Sequence, residues 1–468
     1  MLPSDAGGPS GVGFVASEAP GPAAGWLPPG CGIQADRRLT SGGCDVVGLA
    51  ERFGTPLYIF NETVIRDRCR AYRRAFASYG GGATVAYAAK AFLSQAVAAI
   101  IASEGLHLDV VSGGELYTAL QAGFPAARIH FHGNNKSVDE IAMACDAGIG
   151  SFMVDNAYEL ERVDAEGRAR GQRQRVLLRV APGIEAHTHE YVRTGMQDSK
   201  FGFDLESGQA LAAAQRAAAA PGIELVGLHA HIGSQILDTS AMVPLAQVLV
   251  ALASEIRRRT DVVLGEINLG GGAGIRYRQE EPPSPAAFAA AMAEAMGAAC
   301  SAADFRLPRL AVEPGRSIVG EAALAVYRVG SQKHVPGLVP YVAVDGGMGD
   351  NIRPSLYGAE YTVVVANRMG EPPTQRAHIV GRYCESGDFL ARSVPLPAVQ
   401  ADDLLSFFAA GAYQLPMASN YNRVPRPCVL LVREGHADVM VERETFADLD
   451  ARERLPERLR TRGVAAAT

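Results

Sequence analysis

Lysine is nearly missing from this chain: of 44 lysines and arginines in 468 residues, only Lys90, Lys136, Lys200 and Lys333 are lysines. Where arginine supplies almost all the positive charge, a lysine at a special position is a candidate for amine chemistry, which a guanidinium cannot perform. Basic excess is missing too. A formal net charge of −6 leaves no footprint for nucleic acid, and no polybasic run flanks an apolar helix as a membrane surface would require. No uninterrupted apolar run is long enough to span a bilayer. Paired cysteines are absent: Cys31, Cys44, Cys69, Cys145, Cys300, Cys384 and Cys428 are scattered and odd in number, which argues against a disulfide framework or a zinc ribbon and for the reducing cytoplasm. No basic residue precedes Arg37, so the start lacks a signal peptide's charged end. Its Gly-, Pro-, Ala- and Ser-rich composition predicts a flexible extension over residues 1–45, with a frayed tail over 452–468.

What is present is an alternation. The length suggests two domains. Leu57 to Phe60 looks like a strand, and Asn61 can cap a helix running to Phe76. Short apolar runs then recur at Thr84–Ala89, Leu106–Val111, Ile129–His132, Phe152–Asp155, Val176–Ala181, Leu225–His231, Ile267–Leu269 and Leu310–Val312, separated by Ala-rich segments of helical period. Eight strands with helices between them predict a (β/α)₈ barrel over residues 58–320, whose strand carboxyl ends carry the active site. Those ends are polar or glycine-rich: Lys90; Asp109 with Ser112 to Glu115; His132 to Lys136; Asp155-Asn156; His229 to Ser234; Gly270 to Gly274; and Glu313 to Arg316. Beyond Gly320 apolar runs continue without long helices, which predicts a second, mostly β domain (barrel or sandwich) built from 46–57 and 321–451.

Each motif has a bland reading beside the functional one. Gly270 to Gly274 could cradle a phosphate with backbone amides, but it does not fit the dinucleotide fingerprint. His229 and His231 have the spacing of two metal ligands on one strand, with His132 as a possible third; that reading leaves Lys90 and the glycine loop without a duty, and no metal is expected. Cys384 lies in a polar loop beside Glu385 and Asp388, where it is either a half-buried packing residue or a proton donor.

In order, these stretches are similar to the motifs of the diaminopimelate decarboxylases, which are pyridoxal-phosphate-dependent decarboxylases pairing an alanine-racemase-like barrel with a β domain. Val85 to Ala91 looks like the cofactor-lysine motif and His132 to Ser137 like the HGNNKS loop. Thr194-Gly195 with Ser199-Lys200-Phe201-Gly202 is similar to the substrate-side loop; HIGSQ, GGGAG, EPGRS, RPSLYGA, CESGD, GAY and MASNYN follow. The resemblance covers residues 50 to 445. Two places depart from it: Gly381-Arg382-Tyr383 stands where the family has a Gly-Pro pair, and Val424 sits within the usual Asn-x-Arg-Pro-Arg-Pro run.

The resemblance implies decarboxylation of meso-2,6-diaminopimelate to L-lysine, the last step of lysine biosynthesis. It implies that Lys90 would carry pyridoxal 5'-phosphate as a Schiff base, His229 would stack on the ring and Glu313 would face the pyridine nitrogen. Ser234, Gly271, Gly272, Gly315 and Arg316 would hold the phosphate, and Tyr413 would touch both phosphate and substrate. Arg316, Arg353, Tyr357 and Glu385 would meet the far end of the substrate. Cys384, from the second subunit of a homodimer with shared sites, would reprotonate Cα. Alternatives are a decarboxylase of ornithine, arginine, lysine or carboxynorspermidine, a racemase, and a non-catalytic homologue.

Overall fold

The eight apolar runs all become strands, and the helices between them are capped where the sequence supplies a cap. In the computed structural model, which describes residues 26–184 and 200–460, the barrel strands are Ala83–Ala88, His107–Val110, Ile129–Phe131, Ser151–Val154, Gln174–Ala181, Ile223–His229, Glu266–Asn268 and Arg309–Val312. Each pairs in parallel with the next, and the last returns to the first with Val312 opposite Val85, so the sheet closes. Ser94, Ser112, Ser137, Asn156 and Ser284 each accept a hydrogen bond from a backbone amide in the first turn of the following helix. Such a cap contributes about 1 kcal/mol, and it fixes the strand-to-helix turn at the carboxyl end of the barrel.

The helix expected after Asn61 spans Glu62–Phe76, with Asn61 accepting from the Val64 amide. It buries Val64, Ile65, Cys69, Tyr72 and Phe76, one stripe at three- and four-residue spacing. Among the described residues no helix is long and apolar enough to cross a membrane.

The second domain is organised on the long strand Ala323–Lys333, which pairs with Leu57–Asn61, Leu404–Phe407 and Tyr341–Val344. Leu57–Asn61 also runs parallel to Cys428–Arg433. Hence Leu57–Asn61 belongs whole to the β domain, and the expected barrel boundary at residue 58 moves to the start of the helix at Glu62. The strands Phe389–Leu396 and His436–Val441, which carry weak apolar patterns, complete the sheet.

Both faces of this sheet are apolar, as the two-residue period shows. Tyr58, Phe60, Ala325 and Tyr327 join the barrel core, whereas Leu57, Ile59, Leu324, Val326 and Leu430 point the other way into a second buried cluster. Leu39, Val46, Val47 and Leu49 cover that cluster. The expectation of a flexible extension through residue 45 is therefore corrected from Cys31 onward. Cys31–Ile33, Leu39–Ser41 and Cys44–Asp45 form a three-stranded sheet, locked to the β domain by Leu39 N to Ala366 O at 2.8 Å and Met369 N to Arg37 O at 2.7 Å. Burying each large apolar side chain contributes roughly 1.5–3 kcal/mol, which outweighs the loop-like composition of this segment. Residues 1–25 lie outside the described residues, as do Thr194, Gly195 and Ser199. Residues 452–460 are exposed throughout.

Near the amino ends of the second and third barrel strands, His107 Nδ1 lies 2.9 Å from His130 Nε2, and His130 Nδ1 lies 2.6 Å from the Ser151 hydroxyl. Burial, and then the charge of Arg128 for His107 and of His107 for His130, pushes the two imidazoles down to about 4 and about 3. The unfolded chain takes up protons near pH 6.5, where the folded chain does not, so this contribution to stability is complete above that pH and is lost as pH falls. For His130 the loss at pH 5 is about 2 kcal/mol. Denaturant titrations at pH 7 and pH 5 should show His130→Gln losing less stability between the two than the parent; an equal loss would remove His130 as the cause.

Candidate active site

Lys90 stands on a single 3₁₀ turn, Ala89–Ala91, immediately beyond the first barrel strand. Loss of water around its amine acts to lower its pKa, but the acidic groups of Tyr413, Asp109 and Glu313 prevail over burial and over Arg179, so the pKa is raised. The tertiary structure brings Lys90, Ser234, Gly271, Gly272, Glu313, Gly315, Arg316 and Tyr413 to the wall of one pocket, together with His231. They come from the ends of the first, sixth, seventh and eighth strands and from the β domain, whose Tyr413 amide donates to Ala91 O at 2.8 Å.

Glu313 is fully enclosed and accepts from Asn268 Nδ2 at 2.6 Å and from His229 Nε2 at 3.3 Å. The Asn268 amide is oriented by the Gly270 N–H, which donates to its Oδ1 at 2.8 Å, so the NH₂ group must face Glu313. His132 Nε2 comes to 3.0 Å from Glu313 and 3.6 Å from Asp109. Burial opposes ionisation of Glu313, but the nearby imidazoles of His132 and His229 prevail and hold its carboxyl well below the usual carboxylate range. Asp109 goes the other way: burial lifts it to about 6, against the pull of His132. Among the described residues neither Asp109 carboxylate oxygen has a hydrogen-bond partner, nor does His229 Nδ1 or Arg316 Nε. Burial lowers the pKa of His229, against the opposing pull of Glu313.

The glycine loop approaches the pocket as backbone. A Cβ on Gly271 would stand 2.0 Å from Glu313 O, and one on Gly272, at φ +102°, would stand 2.4 Å from Gly233 O. His231 Nδ1 lies 3.3 Å from the Gly271 amide and so pins this loop. His229 and His231 thus have separate partners; among the described residues the cluster within ligand distance is instead His132, His229 and Glu313.

Arg316 donates to Tyr277 Oη and, at 2.9 Å, to Ser234 Oγ. Its guanidinium lies 4.8 Å from the centre of the Tyr413 ring, and that of Arg353 lies 5.8 Å from the same ring. Tyr357 sits beside Arg353, with its ring centre 5.4 Å away. Cys384 and Glu385 are not brought to the pocket wall of their own chain. They lie exposed on a turn braced by the Met348 and Tyr383 amides, which donate to Asp388, and by the Cys384 amide, which donates to Asn422 Oδ1 at 2.8 Å. The departure at Tyr383 stacks on Tyr421, ring centres 6.0 Å apart, and fills the space over Gly349, where a Cβ would meet its hydroxyl at 2.1 Å.

Sequence reasoning left His132, Asp109 and Asn268 without a role in the site. All three stand at strand carboxyl ends, a position that the barrel pattern does expose; Asn268 reaches Glu313 from the adjacent seventh strand, whereas the approach of His132 and Asp109 to Glu313 depends on closure of the sheet.

Residues 62–320 match the family described as pyridoxal-dependent decarboxylase, pyridoxal binding domain. The chain is 49% identical to the diaminopimelate decarboxylase of Bacillus subtilis over 412 residues, 88% of this chain and 94% of that one. It is 47% identical to the diaminopimelate decarboxylase of Bacillus methanolicus, over 87% of this chain and 94% of that one. Among solved structures, diaminopimelate decarboxylase from M. jannaschii in complex with L-lysine superposes with a TM-score of 0.85 at 34% identity, covering 92% of this chain and 98% of that one. With the closed barrel, the lysine turn and the pocket between barrel and β domain, these likenesses place the chain in the diaminopimelate decarboxylase family of the pyridoxal-dependent decarboxylases.

Proposed function

We propose that the protein removes carbon dioxide from meso-2,6-diaminopimelate to give L-lysine, the last step of lysine biosynthesis, with pyridoxal 5'-phosphate held in the Lys90 pocket. The observation that carries this reading is the pair of buried guanidiniums, Arg316 and Arg353, on one tyrosine ring beside that pocket. A substrate whose far end is a second amino-acid centre brings a carboxylate to them; lysine or ornithine brings only an ammonium, which two arginines repel.

The residues present suit the cofactor. Lys90 offers the one amine in the pocket wall, the glycine loop brings its backbone to the pocket with no side chain between, and Ser234 and Arg316 add donors for a phosphate. The unpartnered Arg316 Nε and His229 Nδ1 are buried polar atoms with capacity to spare. Pyridoxal phosphate bound there supplies an electron sink for the pair left when the Cα–carboxylate bond breaks. Lys90 would anchor it covalently, Glu313 would hold a proton at its ring nitrogen, and His229, hydrogen-bonded to Glu313, would offer a flat ring face. Gly271, Gly272, Gly315 and Arg316 bind phosphate; Arg353, Tyr357, Glu385 and Tyr413 orient the substrate.

Cys384 reprotonates Cα from the second subunit of a cytoplasmic two-fold homodimer. What supports this is that Cys384 and Glu385 are rigidly braced yet exposed and absent from their own chain's pocket, while the other cysteines are buried or half-buried. Mixing inactive Lys90→Ala and Cys384→Ala proteins should restore about a quarter of parental activity, since half the dimers are mixed and each has one intact site. No recovery after verified exchange counts against shared sites.

Carbon dioxide release and the amine product, measured with meso-diaminopimelate, L-ornithine, L-arginine and L-lysine in parallel, test the function. Turnover of meso-diaminopimelate alone supports it, and turnover of another substrate overturns the reading of the two arginines.

A further inference from the structure

We infer that Tyr277 and Tyr361 are positioning residues that hold Arg316 and Arg353 apart at a set spacing and turn Arg353 into the fork that receives the substrate's far carboxylate. This rests on the assignment of Arg353 to the substrate made above. Arg353 Nε donates to Tyr361 Oη at 2.9 Å, and Arg316 donates to Tyr277 Oη. The two phenol rings meet edge to face, with centroids 5.3 Å apart and planes at 86°. Each arginine therefore leans on one tyrosine, and the tyrosines lean on each other.

The pair is also locked through the backbone. Tyr277 follows the seventh barrel strand and Tyr361 belongs to the β domain, yet Thr362 donates to Tyr277 O both from its amide, at 3.2 Å, and from its hydroxyl, at 2.8 Å. Tyr361 is only 2% exposed and Tyr277 7%, so neither ring has room to swing.

The chemistry explains why phenols stand here and not acids. Two guanidiniums flanking one ring repel each other and need acceptors to hold them in place. A carboxylate acceptor would cancel the positive charge and compete with the substrate's own carboxylate; a phenol oxygen accepts the hydrogen bond and leaves the charge intact. Burial keeps Tyr361 protonated by raising its pKa, against the opposing pull of Arg353. Arg353 spends its Nε on Tyr361, and no hydrogen bond from its two terminal nitrogens is found among the described residues. Those nitrogens form the edge that matches a carboxylate through two parallel bonds. Arg316, by contrast, has both terminal nitrogens engaged, by Tyr277 and Ser234. Arg353 is the receiving group, ordered before the substrate arrives, so its side-chain freedom is not lost on binding.

The test uses the holoenzyme. Tyr361→Phe should raise KM for meso-diaminopimelate about tenfold, as for loss of a hydrogen bond to a charged group, with kcat within about twofold and cofactor absorbance unchanged. A residue needed only for folding would lower absorbance and kcat together. In an Arg353→Ala background, where KM is already high, adding Tyr361→Phe should change nothing further. If Arg353→Ala raises KM but Tyr361→Phe does not, the tether is wrong and the arginine's assignment stands. If Arg353→Ala leaves KM unchanged, both are wrong. Should Tyr361→Phe lose its cofactor, the same comparison is made with Tyr277→Phe, for which a KM rise is again expected and an unchanged KM overturns the inference.

Discussion

Lys90→Ala protein should lose decarboxylation and the absorbance of bound cofactor together, with kcat falling by at least roughly 10³-fold. The reason is geometric as much as chemical. Lys90 is the only lysine in the pocket wall, and it projects from a turn whose neighbours Ala89 and Ala91 are fully buried, so no other amine can take its place. Lys90→Arg separates the two properties of the side chain. It keeps a cation among Asp109, Glu313 and Tyr413 but lacks a nucleophilic amine, and should be as inactive as the alanine variant. Substantial turnover by Lys90→Arg would show that charge, and not covalent anchoring, is what the site needs. Absorbance spectra with added pyridoxal phosphate and single-turnover carbon dioxide release distinguish these outcomes.

Glu313→Gln should behave differently: cofactor bound, absorbance present, kcat lower by about 10²–10³-fold. Every group around Glu313 is arranged for an anion. Asn268 presents its NH₂ because Gly270 fixes the other end of the amide, His229 directs Nε2 at the carboxylate, and His132 stands 3.0 Å away. A glutamine has one acceptor and one donor end, so at least one of these groups faces another donor. The buried negative charge proposed to hold a proton at the ring nitrogen is lost with it, while Lys90 is untouched. Unchanged kcat in Glu313→Gln would mean that no proton is held there. Loss of absorbance as well would mean that Glu313 serves binding and not chemistry.

The barrel was legible because eight apolar runs of strand length alternate with Ala-rich segments of helical period; the structure adds that capping residues mark the starts of those helices. The ends of those runs carried the polar groups of the site in plain view, since a barrel gathers all its strand ends at one rim. The reading failed where a segment's structure depends on a distant surface. Residues 31–45 have a loop-like composition and form strands because Leu57, Ile59, Leu324 and Val326 present a second apolar face that must be covered. Likewise, strand Leu57–Asn61 precedes the barrel in the chain and belongs to the β domain through pairing with strands more than two hundred residues away.

By itself the sequence determined the fold class, because strand period and the helical period between strands are local properties read within a few residues, and its ordered motifs carried the resemblance to the family. Only the tertiary structure decided which groups act together. It set His132 against Glu313 across the closed sheet, gave each arginine its own tyrosine, and left Cys384 exposed outside its chain's own pocket. These are contacts between residues far apart in the chain, fixed by sheet closure and by the packing of the β domain on the barrel, and no local pattern encodes a distance of that kind.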